Sequence, residues 1–235
     1  STHDAATAYV SLNGYRFDNF ETHIYKTTDY GKTWKSIKGN LPDEVTNVIL
    51  QDPFNAEILY AGLDHGTYVS FNDGGEWHYL ANMPNVATYD LVIHPREKDL
   101  IAGTHGRSIY VMDIEHMHTV ADRLDDAVTA MEPASIRSSN RWGQQSVAYR
   151  APFMPNVPLV YYLGSEGTEE VEVIVSNEEG KKVHSFKTEG HHGFNQYNWN
   201  LMTKDGENPE FLKKGEYTLT FKVNKAQHEV PFSIK

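Results

Sequence analysis

The chain of 235 residues contains no cysteine. That excludes disulfides and thiolate-held metal sites, and it leaves the redox compartment open. Basic residues are few: 21 Lys and Arg stand against 32 Asp and Glu, a net charge of −11, with no long block of either sign. A nucleic-acid backbone or an anionic membrane surface is therefore a poor partner, because both need clustered positive charge. No apolar run approaches the roughly 18–20 residues that span a bilayer, so no membrane span is expected. No signal-peptide pattern stands at Ser1. What the chain does have is 39% hydrophobic and 12% aromatic residues, enough for one large domain or two ordinary ones of strand-rich type.

A short motif occurs twice. Thr27-Thr28-Asp29-Tyr30-Gly31-Lys32-Thr33-Trp34 and Ser70-Phe71-Asn72-Asp73-Gly74-Gly75-Glu76-Trp77 align with Trp34 and Trp77 43 positions apart. Between the copies run short apolar segments punctuated by turn residues, the spacing of a β-propeller blade. The complete repeat reads as four strands. They are Asn47-Val48-Ile49-Leu50, Ile58-Leu59-Tyr60-Ala61-Gly62, Tyr68-Val69-Ser70-Phe71 and Trp77-His78-Tyr79-Leu80, separated by turns at Asp52-Pro53-Phe54-Asn55, Asp64-His65-Gly66 and Asn72-Asp73-Gly74-Gly75. The preceding repeat lacks its first strand. The following one lacks its last, since no Asp-Gly-Trp turn follows Ser108-Ile109-Tyr110-Val111-Met112. Residues 1–114 are thus expected to be the C-terminal blades of a propeller. Two to three blades leave apolar faces uncovered, so the expected neighbours are upstream blades of the same polypeptide or further copies of the chain.

From Asp113 to Arg150 the repeat is broken. Val120, Leu124, Ala127, Val128 and Met131 fall near helical spacing, which predicts a helix over 116–131 ended by Pro133, inside a linker of residues 115–147. A second all-β region follows, 148–235, with candidate strands at 159–163, 171–176, 182–186, 196–201, 217–223 and 228–234. Six or seven short strands in about 85 residues suggest an immunoglobulin-like sandwich. The expected fold class is all-β, a partial propeller and a sandwich joined by a short helical linker.

The Ser/Thr-x-Asp-x-Gly-x-x-Trp motif resembles the Asp box, or bacterial neuraminidase repeat. Thr27, Asp29, Gly31 and Trp34 match it, as do Ser70, Gly74 and Trp77, with Asn72 at the Asp position. The acid can accept backbone N–H groups of its own turn, the glycine takes a positive φ, and the tryptophan wedges between blades. Residues 8–113, with Gly103-Thr104-His105-Gly106-Arg107, resemble the C-terminal blades of bacterial sortilin-like Asp-box propellers. The tail, with Gly193-Phe194-Asn195-Gln196-Tyr197-Asn198-Trp199-Asn200-Leu201 and Lys214-Gly215-Glu216-Tyr217, resembles the Ig-like domain of flagellar hook-capping proteins. The resemblance implies an exported bacterial protein, periplasmic, outer-surface or extracellular. Its relatives range from sialidases and xyloglucanases to sorting receptors and assembly factors.

It further implies that the Asp boxes are structural and lie away from the ligand face. The opposite turns then gather Tyr15, Arg16, Asp18, Phe20, His65, His105 and Arg107 as candidate contacts to a protein or carbohydrate ligand. Aromatic faces stack on sugars and arginine pairs with carboxylates. The bland readings are a loop packed over its neighbour for Tyr15 to Phe20, a salt bridge or carbonyl contact for Arg107, and turn capping for His65 and His105. A glycosidase needs two carboxylates at a set separation. Asp18, Asp43 and Asp64 are possible members, and nothing selects among them, so no catalytic residue is assigned. His116-Met117-His118 could offer two imidazoles to a metal, but no third ligand is evident, and His191-His192 reads as solvated. No metal or cofactor is expected. The leading expectation is a binding or scaffold protein. The alternative is a glycoside hydrolase with its catalytic residues upstream.

Overall fold

A computed structural model describes residues 1–80, 83, 85–206 and 209–235. The fold is all-β, and the chain divides into two compact units, Ser1–Asp122 and Arg123–Lys235.

The first unit is a succession of antiparallel meanders. Strands β1 (Ala8–Leu12), β2 (His23–Thr27) and β3 (Lys35–Ser36) form one sheet. Strands β4 (Thr46–Gln51), β5 (Leu59–Leu63), β6 (Gly66–Ser70) and β7 (His78–Tyr79) form the next, and β8 (Thr88–His94), β9 (Asp99–Thr104) and β10 (Ile109–Asp113) the third. Three, four and three strands are what the repeat pattern predicted. Strand β4 packs against β1 on one side and β8 on the other, so the sheets stack in chain order. A continuous apolar run makes β5 buried along its whole length, as expected of a strand covered on both faces. Gly62 permits a close approach between neighbouring sheets: a Cβ there would lie 2.6 Å from the Thr88 carbonyl oxygen on β8. Ile24, Ile37 and Leu41 of the first repeat meet Leu59, Ala61, Leu63 and Trp77 of the second in one apolar cluster.

The Asp52 turn is more than a reversal. Its carboxyl group is fully buried and accepts the N–H groups of Phe54 (2.7 Å) and Asn55 (3.2 Å) on Oδ1. On Oδ2 it meets the Tyr60 hydroxyl (3.2 Å) and His118 Nε2 (3.0 Å). His3 Nε2 bonds the Asp52 carbonyl oxygen at 2.8 Å. Residues from both ends of the unit are thereby tied to one hairpin.

The helix is shorter than the periodicity predicted. Helix α1 spans Glu115–Ala121, and Val128–Ala130 forms strand β11 instead, paired with residues 161–163. Asp122, Asp125 and Asp126 would place negative charge at the negative end of the helix dipole. Beyond them the β-branched Val128 and Thr129 find a strand partner and are buried.

In the second unit, β12 (Val157–Asn177) and β13 (Lys182–Trp199) each replace two of the expected short strands. They pair along almost their full length, with a register shift between Leu163 and Thr168. The first half of β12 pairs with β11 and its second half with β16 (Gly215–Val223), which in turn pairs with β17 (Ala226–Ile234). A short hairpin, β14 (Met202–Lys204) with β15 (Glu210–Phe211), stands apart from this sheet. The five strands β11, β12, β13, β16 and β17 thus belong to one sheet, and the unit has a single core that contains Leu159, Tyr161, Val173, Trp199, Phe221 and Phe232. The turn at Asn177 to Gly180 forms as expected. Gly180 has φ 75°, and Asn177 Oδ1 accepts the Lys181 N–H at 2.9 Å.

Candidate functional site

The two repeat turns have one hydrogen-bond plan. In the first, the Thr27 hydroxyl donates to Asp29 Oδ1 (2.8 Å) and accepts the Gly31 N–H (3.0 Å). The same Oδ1 accepts the Thr33 N–H (2.9 Å), and Oδ2 accepts the Thr33 hydroxyl (2.6 Å). In the second, Ser70 donates to Asn72 Oδ1 (3.0 Å) and accepts the Gly74 N–H (2.9 Å), while Asn72 Oδ1 accepts the Glu76 N–H (2.8 Å). Gly31 and Gly74 have φ of 81° and 86°. The tryptophans differ. Trp77 is buried (3% exposed) and donates its indole N–H to the Ile37 carbonyl (3.0 Å), whereas Trp34 is 45% exposed.

Those bonds set an acid-sensitive group. The Thr33 hydroxyl and N–H, then the Thr27 hydroxyl, hold Asp29 down at about 2 from its usual 3.8. A lowered carboxylate contributes stability that is complete above the unfolded value and is lost as pH falls through the folded one. Asp29→Asn should keep the turn, because Asn72 already does so, and should flatten the dependence of unfolding temperature on pH between about 4 and 2. Thermal scans of both proteins across that range measure it.

Antiparallel pairing places the β1–β2, β5–β6 and β9–β10 turns at the strand ends opposite to these boxes. Tyr15 and Arg16 lie in a 3₁₀ turn, Tyr15–Phe17, that Asp18 closes in the left-handed region (φ 54°). Arg16 Nε donates to the Tyr15 hydroxyl at 3.1 Å, and its guanidinium carbon lies 5.7 Å from that ring's centroid. Phe20 is exposed, so the packed-loop reading does not hold for it. His105 meets Tyr89 edge to face at 5.4 Å. Arg107 is exposed and makes no hydrogen bond or ion pair among the described residues, which overturns the expected salt bridge or carbonyl contact. No hydrogen bond, ion pair or ring contact joins Tyr15, Arg16, Asp18 or Phe20 to His65, His105 or Arg107 among the described residues.

His65 sits in a formed cleft. It bonds the Glu44 carboxylate through Nδ1. Asp43, Glu44, His65, Tyr68 and Tyr79 line a cleft of about 520 Å³. Tyr68 and Tyr79 are cross-strand partners on β6 and β7, with rings 5.3 Å apart and edge to face. Gly66 makes this possible, since a Cβ there would lie 2.4 Å from the Tyr79 ring. Burial, then the Glu44 charge, raises both phenols above their usual 10, so both keep their protons at neutral pH. The cleft therefore offers phenol donors, carboxylate acceptors and aromatic edges side by side, a set suited to hydroxyl-rich or cationic groups. Sequence reading named His65 and missed Glu44, Tyr68 and Tyr79. The signal available was register: counting outward from the repeat turn pairs Tyr68 with Tyr79.

Asp64 is held by the Asn47 amide at 2.9 Å and His118 by Asp52, so each has a structural partner. Among the described residues no helix is long and apolar enough to cross a membrane.

No protein-family model matches the chain, and no curated protein matches it. Among solved structures it is similar to an ancestral GH74 enzyme, at 11% identity and TM-score 0.39, covering 100% of this chain and 23% of that one. It is also similar to the extracellular domain of BT4673 from B. thetaiotaomicron, at 8% identity and TM-score 0.31, covering 90% of this chain and 28% of that one. The chain therefore spans less than a third of either protein, and likenesses this loose carry no argument about what it binds or does.

Proposed function

We propose that this chain is the closing part of a longer, exported Asp-box propeller of sortilin-like type followed by an Ig-like module. In this reading it serves as a non-enzymatic binding or scaffold protein. The observation that carries the reading is the unequal burial of equivalent residues. Trp77 is wedged against Ile37 of the repeat before it, while Trp34, at the same place in its own repeat, is half-exposed. At the other end Tyr89, Val92, Ile109 and Val111 are exposed on β8 and β10. Apolar surface of that kind is what a neighbouring blade covers. Upstream blades of the same polypeptide are the proposed cover, and further copies of this chain are the alternative. The ligand, a protein or a glycan, is assigned to the face of the β1–β2, β5–β6 and β9–β10 turns, with the His65 cleft as its formed part.

A glycan and protein array with the full-length protein tests this. Saturable binding that Tyr79→Ala weakens about tenfold supports it, the change expected from losing one aromatic contact. The second reading, a glycoside hydrolase, is favoured by Asp43 and Glu44 lining one cleft. It requires release of reducing ends from a bound glycan and loss of that release, with binding kept, in Glu44→Gln. Binding without turnover across the array rejects the hydrolase; neither binding nor turnover rejects both.

A further inference from the structure

We propose that residues 139–154 of the second unit form a binding site for an acidic saccharide, a sugar that carries a carboxylate. This goes beyond the propeller reading and does not depend on it.

The first observation is one of charge. No Asp or Glu occurs between Glu132 and Glu166, yet Arg137, Arg141 and Arg150 do, in a chain whose net charge is −11. In the fold, Arg141 and Arg150 line a cavity of about 630 Å³, within the roughly 300–1,000 Å³ typical of small-ligand sites. Neither guanidinium makes a hydrogen bond or ion pair among the described residues. Two unpaired arginines facing one cavity repel each other and attract an anion.

The second observation is that the loop is held in shape without a ligand. Phe153 donates its N–H to Gln144 (3.0 Å) and accepts that of Gly143 (2.9 Å), which closes the base of the loop. The Gln145 amide donates to the carbonyls of Ala148 (2.8 Å) and Arg150 (2.9 Å). Trp142 packs on the core of the unit, its ring 5.9 Å from Phe211. A site held in shape beforehand loses less ordering entropy on binding.

The third observation is the lining. Arginine's planar fork matches a carboxylate in bidentate fashion. The Gln144 amide and Ser146 hydroxyl match sugar hydroxyls. The exposed Phe153 ring, beside Met154, supplies an apolar wall for the C–H face of a pyranose. A bare phosphate would use the arginines and leave that wall idle, whereas a carboxylated sugar uses all three features.

Calorimetric titration of the full chain tests the assignment, with a hexuronate oligosaccharide, a sialyl-oligosaccharide, the methyl ester of the first, its neutral counterpart, and inorganic phosphate. Saturable binding of one carboxylated sugar is expected, with the ester and neutral forms at least roughly tenfold weaker. Arg141→Gln and Arg150→Gln should each weaken that binding roughly tenfold. Phe153→Ala should weaken it with no change in salt dependence. All three side chains are exposed, so unfolding temperatures should stay unchanged, which separates lost binding from lost folding. The proposal is overturned if no carboxylated sugar binds, if phosphate binds as tightly as the sugar, or if both arginine variants bind like the parent.

Discussion

Trp77→Ala is expected to lower the stability of the first unit by about 3–5 kcal/mol, the range for removing a fully buried large aromatic from a core. Trp34→Ala, at the equivalent position of the preceding repeat, should cost about 1 kcal/mol or less, as for a partly exposed side chain. The contrast rests on surroundings, since both residues follow the same turn. Trp77 fills the space among Ile24, Ile37, Leu41, Leu59, Ala61 and Leu63 and satisfies the Ile37 carbonyl. Removing it opens a cavity and strands that oxygen. Trp34 has water over nearly half its surface. Urea unfolding of the two variants side by side measures the difference. Equal losses would reject both this account and the idea that Trp34 awaits a neighbouring sheet. In a longer protein that supplies that sheet, the cost of Trp34→Ala should rise toward that of Trp77→Ala.

The second large effect is at Asp52. Asp52→Ala should destabilise the first unit by about 3–5 kcal/mol, because it leaves several donors in or near the interior without an acceptor at about 1–3 kcal/mol each. The donors are the N–H groups of Phe54 and Asn55 and the Tyr60 hydroxyl, with His118 Nε2 also losing its partner. Asp52→Asn should cost less, since its side-chain oxygen still accepts the two N–H groups. Tyr60→Phe should cost about 1 kcal/mol, one hydrogen bond. Burial first, and then the nearby Asp52, pushes the Tyr60 phenol well above its usual 10, so this bond keeps its proton through the neutral range. Hydrogen exchange of Phe54 and Asn55 reports the outcome locally. Slow exchange in Asp52→Ala would show that the turn holds without its carboxyl group and would refute the assignment.

What was legible in the sequence is what short-range chemistry decides. The repeat turns form as read because Thr27, Asp29 and Gly31, and likewise Ser70, Asn72 and Gly74, bond within a few residues of one another. Strands β4 to β7 follow their apolar runs for the same local reason. Even the arginine-rich, acid-free stretch around residue 141 stands in the sequence as a reversal of the prevailing charge, though only the closed loop turns it into a cavity.

The tertiary structure decided what depends on partners far away in the chain. Helical periodicity at Val120, Leu124 and Val128 lost to the pairing of Val128 to Ala130 with a strand some 30 residues on. Four expected strands became two, because β12 and β13 pair through the shift at Leu163 rather than breaking there. Glu44 and His65 share a cleft only once Gly66 makes room for Tyr79, and Asp52 becomes a buried junction only once His118 and Tyr60 reach it. Local pattern sets which residues can turn, extend or hide from water. Burial, pairing partner and cleft membership belong to the packed whole, since each is a property of the surface a neighbour covers.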